Sequence, residues 1–70
     1  MNNAIKRIHI ISRRQGWAVK KEGALRAMKI FKDRSVAISS ALELAWKGFD
    51  IIKHKKDGTV EWIYEGSKLI

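Results

Sequence analysis

Seventy residues with 15 Lys and Arg against 7 Asp and Glu make a chain of net charge +8, 46% hydrophobic and 31% charged, without cysteine. That length has room for one domain, 1–70, and no second core, and the composition is globular rather than disordered. The missing cysteines exclude a disulfide framework and a thiolate metal site, and no apolar run is long enough to span a bilayer. The opening MNNAIKRIHIIS lacks the small-residue cleavage pattern of a signal peptide, so a cytoplasmic protein without a membrane partner is expected.

Residues 5–12, IKRIHIIS, are rich in β-branched side chains and read as a strand. RRQG supplies a turn ending in Gly16. GWAVKKE, 16–22, reads as a second strand with Trp17 and Val19 on one face and Ala18 and Lys20 on the other. Glu22-Gly23 interrupts it. LRAMKIF, 25–31, is expected to be a third strand, although Ala, Met and Lys suit a helix equally well. Asp33 is placed to cap a helix over 34–47, and Gly48 to end it. Ile38, Ala41, Leu42 and Ala45 form a stripe at helical spacing, with Ala37 and Leu44 beside it and Ser35, Ser39 and Glu43 opposite. That stripe reads as a core face.

FDIIKHKKDGTVEWIY closes as a hairpin. A turn at Lys56-Asp57-Gly58 with Gly58 left-handed sets Lys55 opposite Thr59. The same register places Ile52, Val60, Trp62 and Tyr64 on one face with His54, and pairs Lys53 with Glu61 on the other. Trp62 is then expected to be buried against the helix. The order is β-β-β-α-β-β, an α+β fold in which one helix packs on one face of an antiparallel sheet.

The charge divides unevenly. Residues 1–32 hold nine cations against Glu22 alone, and residues 33–70 hold six of each sign. Such asymmetry points to an anionic partner, and Arg and Lys on a twisted sheet suit a phosphate backbone. The expected function is nucleic-acid binding, to duplex DNA through backbone contacts with little sequence preference. The expected contacts are Arg7, Arg13, Arg14, Lys20, Lys21, Arg26 and Lys29, on the first strands, with Arg13, Arg14, Lys20 and Arg26 expected to form one patch. Trp17 is read as core, with stacking on a base as its functional alternative. The alternative function is a protein-interaction module or adaptor, docking through a sheet edge or the Trp46 and Phe49 region. A second copy of the chain is a candidate partner, with the last strand as edge.

No catalytic constellation is visible. His9 and His54 lie on different predicted strands, and the five glycines fall singly at turns rather than in a phosphate loop. No catalytic residues, metal ligands or cofactors are expected, and the protein is not read as an enzyme.

His9-Ile10-Ile11, Gly16-Trp17-Ala18-Val19-Lys20, Arg26-Ala27, Phe31, and then Ile52-Lys53-His54 with Asp57-Gly58 resemble a small bacterial domain family of unknown function, DUF2188. Its pattern runs H-V-V-P, G-W-A-V-K, R-A, F-x-T-K, a helix, I-H and D-G, over about residues 8–65. Ser12 replaces the family's proline and Asp33-Arg34 its Thr-Lys, which preserves the cap and alters the first turn. The resemblance implies a compact bacterial α+β domain and no particular activity. A weaker likeness, of architecture alone, is to the sheet-plus-helix domains with which some phage integrases grip DNA.

Overall fold

A computed structural model describes residues 6–69. The order is β1 (Arg7–Arg13), β2 (Gly16–Lys21), β3 (Lys29–Phe31), α1 (Arg34–Ala45), β4 (Asp50–His54), β5 (Val60–Glu65) and a 3-10 turn, Gly66–Leu69. No helix among the described residues is long and apolar enough to cross a membrane.

The domain is α+β, as expected, but its sheet is mixed. The spatial order is β3-β2-β1-β4-β5, with β1 and β4 parallel at the centre and every other pair antiparallel. The reason is the crossover: α1 carries the chain back to the end where β1 begins, so β4 starts beside Arg7 and runs in the same direction. This seam sets Ile8 and Ile51 side by side, both fully buried.

Asp33 caps α1 as expected, accepting from the Ser35 amide and hydroxyl at 2.9 Å each. The helix ends at Ala45 rather than at residue 47, in a turn that reaches Gly48. Its most buried row is Ala37, Ala41 and Ala45, spaced four apart, with Ile38, Leu42 and Leu44 packed at its margins. Three small side chains in line let the helix settle onto Ile8, Ile10, Val19 and Ile51.

Two strands differ from expectation at their starts. Residue 5 lies outside the described residues. β3 is three residues long, and the expected strand at 25–28 is a loop in which Leu25 is 99% exposed. Nothing apolar lies across from that side chain to hold an extended segment against the sheet. In β2 the expected faces hold: Trp17 and Val19 join the core cluster, while Lys20 pairs with His9 on the open face.

The final hairpin turns where expected, with the Lys55 amide donating to the Thr59 carbonyl at 2.8 Å and His54 opposite Val60. A bulge then leaves Glu61 as an extra residue, so that Lys53 lies opposite Trp62 and Ile52 opposite Ile63. Beyond it the two faces exchange. Trp62 and Tyr64 share the helix side with Ile51 and Lys53, and Ile63 joins Ile52, His54 and Val60 on the open side. Trp62 is consequently half-buried at the margin of the core rather than enclosed by it.

Candidate nucleic-acid interface

The pairing brings together side chains that are distant in sequence. β1 and β4 end, β2 and β5 begin, and β3 ends, all at one end of the sheet, where α1 also starts. That end carries Arg13, Arg14, Lys32, Arg34, Lys53, Lys55 and Lys56. At its centre is a concavity of about 280 Å³ lined by Trp17, Arg34, Lys53, Lys55, Lys56 and Glu61.

Lys53 is the built part of this surface. Its side chain is 2% exposed, with Nζ 4.5 Å from the Trp17 ring centroid, 2.7 Å from Glu61 Oε1 and 3.3 Å from the His54 carbonyl. A buried ammonium needs such partners, because an isolated one costs several kcal/mol of lost hydration. The Lys53 hydrogen bond holds the Glu61 carboxyl below the usual carboxylate range, with Arg34 and Lys55 adding to the effect.

The three acids at this end have local tasks. Asp33 caps the helix, and its carboxyl is held low chiefly by its bond with the Ser35 side chain. Asp57 accepts from the Thr59 amide at 3.0 Å and its hydroxyl at 2.7 Å, which closes the 55–59 turn and lowers its own carboxyl. Glu61 serves Lys53. Arg13, Arg14, Lys32, Arg34, Lys55 and Lys56 have no ion-pair or aromatic partner among the described residues.

The seven residues expected from sequence do not form one patch. Arg13 and Arg14 sit at the basic end, at the β1–β2 turn. Arg26 lies in the loop at the opposite end of β2. Arg7, also at that opposite end, is bound to Glu22 at 2.8 Å. Lys21 lies 5.7 Å from the Phe49 ring centroid and Lys29 lies 5.4 Å from that of Phe31, both on the helix side, whereas Lys20 is on the open face. Arg34, Lys55 and Lys56 escaped the sequence reading because residues 33–70 sum to zero charge, and Lys32, within the basic first half, was passed over as the residue before the helix cap. The signal available was their position, since each flanks a helix start or a turn.

The two histidines, isolated in sequence, meet on the open face. His9 Nδ1 is 2.8 Å from His54 Nε2, His9 Nε2 is 2.9 Å from Glu22 Oε1, and His54 Nδ1 is 3.0 Å from the Gly58 carbonyl. Parallel pairing of β1 with β4 creates this contact, and an all-antiparallel expectation conceals it.

The family pattern seen in the sequence also stands in the comparison with known families. The model for "uncharacterized protein conserved in bacteria (DUF2188)" matches residues 8–65. The chain belongs to the DUF2188 family. A further relative is the uncharacterized protein YdaT of Bacillus subtilis (strain 168), 44% identical over 54 residues. That stretch covers 76% of this chain and 36% of YdaT, so the chain spans about a third of the length of this relative. No solved structure matches. The match to DUF2188 takes in Trp17, Arg34 and the 55–59 turn, and all seven cations of the basic end lie within it.

Proposed function

We propose that this domain binds nucleic acid, duplex DNA first among candidates, through phosphates that meet its basic end. The observation that supports the reading most is the set of six cations without an ion-pair or aromatic partner among the described residues, drawn from both halves of the chain to one end of the sheet. Four inter-strand steps of about 4.8 Å make that end about 19 Å wide. This exceeds the ~12 Å major groove, so the end reaches from one backbone to the other. Side chains on two turns and a helix start suit phosphate positioning rather than base reading, which favours binding with little sequence preference. The test is a titration of labelled duplex and single-stranded DNA at two salt concentrations. A defined duplex complex persisting near physiological salt supports the reading, and binding that vanishes at low millimolar salt rejects it.

A second reading rests on a separate surface. β5 is an edge strand, and beside it a groove of about 510 Å³ runs between Leu42 and Trp46 of the helix end and Trp62, Ile63 and Tyr64. Trp46 is 79% exposed. An unpaired strand edge flanked by an aromatic ledge suits an added strand from a protein partner, a second copy included. Sedimentation of the protein alone, and pull-down with a Trp46→Ala control, tests it.

A further inference from the structure

The chain contains two histidines, and the structure joins them to each other and to two fixed acceptors. Their ring centroids are 5.1 Å apart with planes 28° from parallel. That separation matches the N···N contact plus the two ring radii, so the rings meet edge to edge with nitrogens facing. At 2.8 Å the gap is too short for a metal ion held in line at ~2.0–2.1 Å from each nitrogen. It is the length of a hydrogen bond.

The Gly58 carbonyl only accepts. Glu22 is ionised, its carboxyl held below the usual range first by the bond to His9 and then by Arg7, whose Nη1 lies 2.8 Å from Oε2. Three contacts (Glu22–His9, His9–His54 and His54–Gly58) therefore need three protons, all from the two rings. Two neutral imidazoles carry two, one at each ring. The three bonds close together only when the pair holds one additional proton, a single positive charge set against Glu22. With one proton fewer, two lone pairs face each other at one contact. With one more, two N–H groups meet at 2.8 Å.

We propose that His9 and His54 share one proton and act as a pH-operated latch that fastens the 55–59 turn to the open face of the sheet. The bonded chain starts at Arg7 and Glu22, crosses β2, β1 and β4, and ends in the turn that carries Lys55 and Lys56. The other charged groups on this face are Lys20, across from His9, Asp50, across from Arg7 in the ladder, Glu65, across from Asp50, and Arg13 at the far end of β1. Asp57 and the two lysines belong to the turn itself, and the helix lies on the opposite face. Raising the pH far enough to remove the shared proton opens one contact and loosens the tie between the open face and the turn, which keeps its own Asp57–Thr59 and Lys55–Thr59 bonds. Acidification adds a second proton and opens the central contact. The consequence for nucleic acid rests on the reading above: the latched turn presents Lys55 and Lys56 to phosphate, and the unlatched turn presents them less well.

The test uses imidazole-15N NMR of the wild-type protein from pH 5 to 9, with amide exchange of the 55–59 turn. The expected result is a through-bond coupling between His9 Nδ1 and His54 Nε2, both rings titrating together. Exchange of the turn amides, corrected for its intrinsic pH dependence, should quicken about three- to tenfold when the proton leaves, the worth of one hydrogen bond. His54→Phe should remove that pH dependence. Two independent ring titrations without coupling would overturn the shared proton, and coupling without a change in turn exchange would overturn the latch. A last arm compares duplex affinity at pH 6 and 8. A fall at the higher pH in wild type that disappears in His54→Phe supports the link to binding, and parallel behaviour of the two proteins rejects it. If neither binds duplex, the nucleic-acid reading fails alone, and the NMR result decides the latch.

Discussion

The two ends of the sheet hold similar numbers of cations and use them differently. At the end where β2 finishes, Arg7 pairs with Glu22, Lys68 with Glu65, and Lys6 and Lys21 each lie 5.7 Å from the Phe49 ring centroid. Lys29 lies 5.4 Å from the Phe31 ring centroid, and Lys20, Arg26 and Lys47 have no such partner there among the described residues. At the opposite end one cation, Lys53, is engaged, and six have no ion-pair or aromatic partner among the described residues. Charge that is satisfied internally stabilises its surroundings weakly and attracts little. Clustered, unsatisfied charge costs repulsion and gains field. Net charge alone hides this difference, since it depends on which acids have other tasks.

Two glycines sharpen the comparison and should give the largest effect on stability. At the basic end Gly16 has φ +143°, and a Cβ there would overlap the Phe31 carbonyl oxygen. At the far end Gly23 has φ +84° with open space around it. Gly16→Ala should cost about 3 kcal/mol, from strain plus the displaced strand. Gly23→Ala should cost about 1 kcal/mol, for the left-handed backbone alone. Urea denaturation of both proteins checks the pair, and equal losses would mean that β2 and β3 are not tightly joined at Trp17.

Next comes the buried ion pair. Glu61→Ala should lower the melting temperature clearly, because it strands the Lys53 ammonium, whereas Lys53→Met should leave it unchanged or raise it. The folded-state carboxyl of Glu61 titrates below its unfolded value. Its contribution is thus present above the ordinary carboxylate range and is lost as the pH falls through the folded value. Acid melting of wild type against Lys53→Met should show that loss in wild type only.

A smaller effect on stability and a specific one on binding is expected from Arg13→Ala with Arg14→Ala. Unfolding should move by less than about 0.5 kcal/mol, while the log-log salt slope of duplex binding should flatten by about 1.8. The smallest change belongs to Arg7→Gln at the far end, which should leave duplex binding as it was and scarcely shift the melting curve. A loss of binding as large as that from the Arg13 and Arg14 change would break the contrast between the ends.

Local features of the fold were legible in the sequence. Asp33 before a helical stripe, Gly48 after it, the alternation of Trp17 to Lys20 and the Asp57-Gly58 turn all act over a few residues, and each stands where local chemistry places it. The parallel β1–β4 seam was not legible, because nothing within Ile8–Ile10 or Ile51–Lys53 specifies the direction of a partner forty residues away. The bulge at Glu61, which accompanies the contact of that carboxylate with the buried Lys53, breaks the strict alternation on which a register read from sequence depends. The basic site was half legible. Arg13 and Arg14 stood out by charge, but Arg34, Lys55 and Lys56 were masked by acids whose caps and turns become visible only in the fold. His9 and His54 depended on the same unforeseen seam.

Two variants of equal charge separate a binding surface at the basic end from diffuse attraction. In one, Arg13, Arg14, Lys55 and Lys56 are replaced by Gln; in the other, Lys21, Arg26, Lys29 and Lys47 are. Each falls from +8 to +4, four charges fewer. Duplex DNA binding is then followed against salt for both. A binding surface at the basic end should give a slope flattened by about 3.6 in the first protein and by less than about 1 in the second. Equal flattening in the two would show diffuse attraction to a basic chain and would contradict a binding surface at the basic end.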